Sequence, residues 1–150
     1  MEKNTHFKER GRERAVQANK ELVRRFYETI EQKNYGALKD FCHEDFVFYP
    51  QVDTPFPGVD GLVQSEKKNF DAFPGFKMSS KAMLAEGNQV AVCFIFEGNH
   101  TGIPFRGIPA TGKDVRFSLM MLLRIEDGKI IEKRSHVDIN DILRQLGVDS

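Results

Sequence analysis

The sequence predicts an α+β domain in which helices pack on one face of a strongly curved, mostly antiparallel sheet. Segments of helical period fill the first half of the chain and segments of strand period the second. The later strands are joined by two short glycine-bearing turns, Gly87-Asn88 and Asp127-Gly128, which are strong hairpin signals. Helices gathered before a run of long antiparallel strands exclude a doubly wound parallel sheet.

The elements follow in chain order. From about Thr5 to Lys33 there is no proline, and Ala15, Ala18, Leu22, Phe26 and Ile30 recur at three- and four-residue spacing, widened by Val23 and Tyr27. This predicts a long amphipathic helix. Asn34 offers an N-cap for a short helix through YGALKDFC, and EDFVFYP turns to β-branched and aromatic residues as a short first strand that Pro50 stops. QVDTPFPGVDG reads as an ordered loop, and LVQSEKKNFDAF, with Leu62, Val63, Phe70 and Phe73, as a third helix ended by Pro74-Gly75. Four strands are then expected, FKMSSKAMLAEG, QVAVCFIFEGNHTG, KDVRFSLMMLLRIE and KIIEKRSHVD, the middle two linked by IPFRGIPATG. A short closing helix, NDILRQLG, stops at Gly147.

At 150 residues, with 40% hydrophobic content and thirteen Phe, the chain suits a single domain over 1–150. Lys plus Arg number 22 and Asp plus Glu 22, so no global field recruits nucleic acid or an anionic membrane. Residues 1–25 hold eight Lys/Arg against four Glu, but basic residues alternating with Glu and lacking interleaved aromatics describe a solvated helix face better than a nucleic-acid patch. The longest apolar run, Val90–Phe96, falls far short of the ~20 residues of a spanning helix, and no export or anchoring signal is visible. Cys42 and Cys93 have no metal or redox spacing, which suits buried thiols of a cytoplasmic protein.

A sheet bent around helices leaves a hollow, and an apolar cavity with few polar groups is the expected ligand site. Val90, Val92, Phe94, Phe96, Gly98 and His100 share one face of their strand, and Val115, Phe117, Leu119, Met121 and Leu123 one face of the next. Both supply an aromatic wall. The last strand is the anomaly: Glu132, Arg134, His136 and Asp138 share one face while Ile131, Val137 and Ile139 take the other. Alternation alone points the apolar set inward and the polar set to water. The functional alternative puts His136 and Asp138 in the cavity, where loss of solvent makes a carboxyl a useful proton carrier near neutrality. A metal site from His136, Asp138, His100 and Glu132 lacks supporting spacing. Ser118 and Ser135 lack a nucleophile elbow, and Lys113 in ATGKD is no phosphate loop.

GNHTGIPFRGIPATGKDVRF, LRIEDGKIIE and VD…ILRQLG, with the upstream NYGALKDFCHEDFVF and PGVDGLVQSEKKNFDAFPGFKM, resemble the SnoaL-like polyketide cyclase or ester cyclase group of the nuclear transport factor 2-like superfamily, over about residues 18 to 148. Residues 1–17 would then be an N-terminal helical extension. The resemblance implies a cone-shaped α+β barrel with N-terminal helices on the concave face, a homodimer, and acid/base catalysis without metal or organic cofactor. It places the general acid/base at Asp138, six residues after Glu132, and His100 in the cavity lining. Lys133-Arg134 stands where members commonly carry His-Trp, Asn140-Asp141 where they carry Leu-Gly, and Tyr49 near a frequent histidine, which implies a more anionic or oxygen-rich substrate.

The expectation is therefore a small-molecule enzyme performing aldol-type cyclisation, isomerisation or hydrolysis on a small hydrophobic or carbonyl-bearing ligand. Asp138 removes a proton, His136 or Arg134 steadies the oxyanion, and Tyr49, His100, Phe94, Phe96, Phe117 and Met121 line the site. The alternative is a non-catalytic ligand-binding or dimerisation module of the same shape.

Overall fold

The structure, a computed structural model, describes residues 2–51 and 54–148, with side chains for 5–50 and 54–148. Helix α1 (Glu2–Glu31) buries one stripe, Leu22, Val23, Phe26, Tyr27 and Ile30. The stripe starts later than its spacing suggests: Ala15 and Ala18 are exposed, as are residues 5–15, because only the second half of α1 reaches the sheet. Asn34 sits at the N-cap of a 3-10 turn over Tyr35–Phe41, but its side chain makes no capping hydrogen bond.

Strand β1 (Cys42–Gln51) is longer than the expected short segment, beginning two residues earlier and running through Pro50 instead of stopping there. Within the expected loop, residues 52 and 53 lie outside the described residues, and Thr54–Pro57 forms strand β2, antiparallel to β1. Two prolines are tolerated there because β2 is an edge strand, where a missing N–H breaks no inner ladder. Helix α2 (Val59–Phe70) buries Leu62, Glu66 and Phe70 at four-residue spacing, with an acid in the middle of its apolar stripe.

Strands β3 (Lys77–Glu86), β4 (Gln89–Asn99), β5 (Asp114–Glu126) and β6 (Lys129–Val137) pair in antiparallel order, and helix α3 (Ile139–Gln145) follows. Both hairpin turns form as expected. Glu126 pairs with Lys129 across Asp127-Gly128, whose φ values of 53° and 72° are the positive pair that a type I′ turn requires. The sheet order is β2-β1-β6-β5-β4-β3, with β1 and β6 parallel and every other pair antiparallel. It is an open, curved sheet, and α1, α2 and α3 cover its inner face.

The apolar walls expected on β4 and β5 face inward: Val90, Val92, Phe94 and Phe96 are buried, and so are Val115, Leu119, Met121 and Leu123. Phe96 stacks on Phe76 and Phe117 with ring centroids 5.1 and 4.7 Å apart. Such pairs add about 0.5–1.5 kcal/mol each beyond the area they bury. The segment after β4 is tied to the end of α2: Gly102 N–H donates to Ala72 O at 3.1 Å and Ile103 N–H to Asp71 O at 3.2 Å. A Cβ at Gly102 would collide with the Asp71 carbonyl, so only glycine allows this approach. Among the described residues no helix is long and apolar enough to cross a membrane.

Candidate functional site

Cross-strand register decides which face of β6 looks inward. Residues directly opposite one another in a ladder share a face. The inward Leu119, Met121 and Leu123 of β5 pair with Val137, Ser135 and Lys133, whereas the outward Met120, Leu122 and Arg124 pair with His136, Arg134 and Glu132. A bulge intervenes at the start of β6, because Ile125 pairs with Ile130 but Arg124 pairs with Glu132, leaving Ile131 unmatched. One extra residue reverses the alternation, so Ile130 and Lys133 both point into the core.

The polar set is accordingly outside. Glu132 pairs with Arg124 at 3.3 Å and with Arg134, and the Arg134 guanidinium lies 3.9 Å from the centroid of the Tyr49 ring. His136 is exposed. Asp138 is exposed too and serves as the N-cap of α3, its carboxylate accepting from Asp141 N–H at 3.2 Å. The placement of His136 and Asp138 in the hollow is thus corrected: with β6 leaving the sheet at Val137, the carboxylate is committed to starting a helix. Arg134 and Tyr49 likewise lie on the outer face rather than among the lining residues.

The other expected lining residues divide. Phe96, Phe117 and Met121 do line the hollow. Phe94 is buried beneath α1, its ring 4.5 Å from that of Tyr27, and does not reach the cavity. His100 is fully buried but packs against Phe73, with centroids 5.4 Å apart. Thr111 N–H donates to His100 Nδ1 at 3.2 Å and Thr111 Oγ1 lies 3.0 Å from the same nitrogen, while Nε2 is buried without a hydrogen-bond partner among the described residues. His100 therefore anchors the segment after β4 instead of lining the cavity.

The hollow itself has a volume of about 280 Å³ between α2, α3 and the inner face of β1, β6 and β5. Its inner polar group is an ion pair. Lys133 Nζ lies 3.3 Å from Glu66 Oε1, with the two side chains 2% and 6% exposed. Lys133 also donates to Ser135 Oγ at 3.2 Å and sits 4.5 Å from the centre of the Phe48 ring. The β1–β6 register explains the last contact, since Phe48 and Lys133 are partners. Lysine and glutamate are almost never this buried unless paired, because an unpaired charge there costs several kcal/mol.

Neighbouring groups report the same charges. Burial, and secondarily the charge of Glu66, push the Tyr27 hydroxyl well above its ordinary value. Burial, then Asp71 and Glu66, raise Tyr35 to about 12. Burial raises the Cys42 thiol to about 12, with Lys133 and Lys129 pulling in the other direction. Among the described residues no three His, Cys, Asp or Glu side chains converge as a metal site would require.

Glu66 was not singled out from sequence, and Lys133 and Ser135 entered only as a departure from the family pattern and as a discounted nucleophile, although two signals existed. Lys133 and Ser135 fall on the apolar side of β6 together with Val137, and Glu66 lies midway between Leu62 and Phe70 on one helix stripe. Each charge interrupts an apolar periodicity.

Comparison with known proteins agrees with this architecture. The sequence profile of SnoaL-like polyketide cyclases matches residues 20–146. The fold is similar to that of AclR from Streptomyces galilaeus, at 23% identity and TM-score 0.81 over 90% of this chain and 88% of that one. IdmH from Streptomyces antibioticus is similar at 24% identity and TM-score 0.75, covering 87% and 99% of the two chains. A protein of Jannaschia sp. CCS1 described as SnoaL-like matches at 21% identity and TM-score 0.82, covering 90% and 95%. No curated protein sequence matches the chain.

Proposed function

The chain belongs to the SnoaL-like polyketide cyclase family, and from that premise we propose that it is a small-molecule enzyme whose proton-transfer group is the buried Glu66–Lys133 pair. The Glu66 carboxylate takes a proton from the carbon beside a ligand carbonyl. The Lys133 ammonium and the Ser135 hydroxyl hold the oxygen on which negative charge develops. The enolate carbon then bonds to a second carbonyl carbon of the same molecule, whose oxygen takes the proton back from Glu66, giving cyclisation, or the enolate is reprotonated from Glu66 at another carbon, giving isomerisation. Phe70, Phe96, Phe117 and Met121 supply the apolar walls against which an aromatic or alicyclic ligand would rest. One observation carries this reading: the only charged side chains buried to this degree among the described residues meet each other at the surface of the cavity.

The experiment is deuterium exchange into the methyl group of 2-acetonaphthone in D2O, followed by proton NMR. Wild-type protein should accelerate exchange, and Glu66→Gln, held below its own melting temperature, should lose that acceleration. Exchange that persists in Glu66→Gln removes the carboxylate from the mechanism. The rival is a ligand-binding module, favoured by the fact that Lys133 already engages Glu66, Ser135 and the Phe48 ring, as a purely structural cation would. Binding of the ketone without exchange by the wild type would select it. The same reading includes a homodimer, for which Met120 and Leu122, 51% and 41% exposed on the outer face of β5, offer apolar contact. Native mass spectrometry counts the subunits.

A further inference from the structure

The hollow has a second polar station, at its mouth, which proton transfer leaves unused. Phe105 and Ile108 exchange two backbone hydrogen bonds, of 3.0 and 2.8 Å, around Arg106-Gly107. The central residues have φ values of 49° and 81°. Two positive φ angles in a two-residue turn are the signature of type I′, which asparagine, aspartate and glycine enter readily and a long side chain does not. Arg106 is thus held in an unfavourable backbone conformation. Such outliers persist where the surrounding structure imposes them, and they cluster where a side chain is being aimed.

The side chain so placed lines the cavity and is exposed. It forms no ion pair with any described residue. Asn69 of α2 is also exposed and lines the same cavity, its amide without a hydrogen-bond partner among the described residues. Of the charged residues around the hollow, Glu66 and Lys133 cancel, so the net charge of the lining is the single positive charge of Arg106. The cavity therefore has a sheltered inner end carrying the ion pair, aromatic walls, and a cationic, hydrogen-bonding rim.

We propose that Arg106 is a specificity residue that selects ligands bearing a carboxylate at the end remote from the reacting carbonyl, so that the substrate class is apolar oxo acids. The inference rests on the proton-transfer reading for the position of the carbonyl, but not for the recognition of the acid. A guanidinium meets a carboxylate through two parallel N–H···O bonds. An apolar wall beside that pair limits its screening by water.

The test measures binding rather than turnover. 2-Naphthylacetic acid and its methyl ester are titrated by calorimetry at low ionic strength into wild-type protein, Arg106→Asn and Glu66→Gln. Wild type should prefer the acid by about tenfold, the ratio that ~1.4 kcal/mol of charge-assisted hydrogen bonding corresponds to. Arg106→Asn, whose Asn-Gly pair suits the turn better, should melt no lower than wild type, bind the ester unchanged and show no preference for the acid. Glu66→Gln should keep the preference. Equal binding of acid and ester by wild type, a preference surviving in Arg106→Asn, or no binding of either compound at millimolar concentration overturns the proposal. Wild-type protein that fails to accelerate deuterium exchange while keeping the acid preference would refute the proton-transfer reading alone. Exchange without preference would refute this one alone.

Discussion

Replacing Lys133 by methionine removes the positive half of a buried pair while nearly conserving its volume. At 3.3 Å and an effective dielectric of about 20, the two charges attract by about 5 kcal/mol. Removing one partner of such a pair typically costs ~3–5 kcal/mol, because the other charge is left buried and unpaired. In a domain of this size each kcal/mol lowers the melting temperature by about 2–4 °C, so Lys133→Met should melt roughly 6–20 °C below wild type. The double variant Lys133→Met/Glu66→Leu puts apolar atoms on both sides of the contact, continuing the stripe of Leu62 and Phe70 on α2. It should return to the wild-type melting temperature or exceed it, since well-packed apolar replacements of buried ion pairs are often neutral or stabilising by about 1–4 kcal/mol. Circular dichroism melts at pH 7, checked by guanidinium titration, measure both. If Lys133→Met costs less than about 1 kcal/mol, or if the double variant is no more stable than the single, the pair is not the sheltered unit on which the site depends. A stable double variant that fails to accelerate deuterium exchange would also separate folding from chemistry.

Asp138→Ala should cost about 1 kcal/mol, the usual loss for an N-cap side chain, and leave deuterium exchange at the wild-type rate; Asp138→Asn, which still caps, should match wild type in both. Loss of exchange in Asp138→Asn would restore the outer carboxylate to the mechanism. At alkaline pH the raised thiol of Cys42 sets the sign of a stability change: the folded value is about 12 and the unfolded value about 8.5. Its contribution is therefore fully present below pH ~8.5 and lost progressively up to about 12. Cys42→Ala should flatten the fall in denaturation midpoint over that window without abolishing it, because Tyr35, also raised to about 12, titrates in the same direction. An unchanged slope in Cys42→Ala would show that the thiol reaches solvent in the folded state.

Much of the fold was legible because it depends on short-range periodicity and turn chemistry. Leu22, Phe26 and Ile30 at four-residue spacing mark the buried half of α1, and Asp127-Gly128 and Gly87-Asn88 mark the hairpins that place β3 to β6 in antiparallel order. The even positions of β4 and odd positions of β5 identified Phe96, Phe117 and Met121 as cavity walls. Pro55 and Pro57 read as loop because the rule that excludes proline from strands does not apply at an edge, and whether a segment lies at an edge is known only from its neighbours.

The sequence alone determined that β6 has a polar and a mixed face, that the domain is α+β, and that an apolar hollow lies under the helices. Only the tertiary structure decided which face of β6 looks inward. That choice turns on a single unmatched residue, Ile131, which reverses the alternation and sends Lys133 inside and Asp138 to a helix cap. It likewise joined Glu66 to Lys133 across 67 positions of chain and brought Arg106 to the cavity mouth. Alternation along one strand is a local property of the backbone, whereas the partner of a buried charge is set by which elements pack together to exclude water from it.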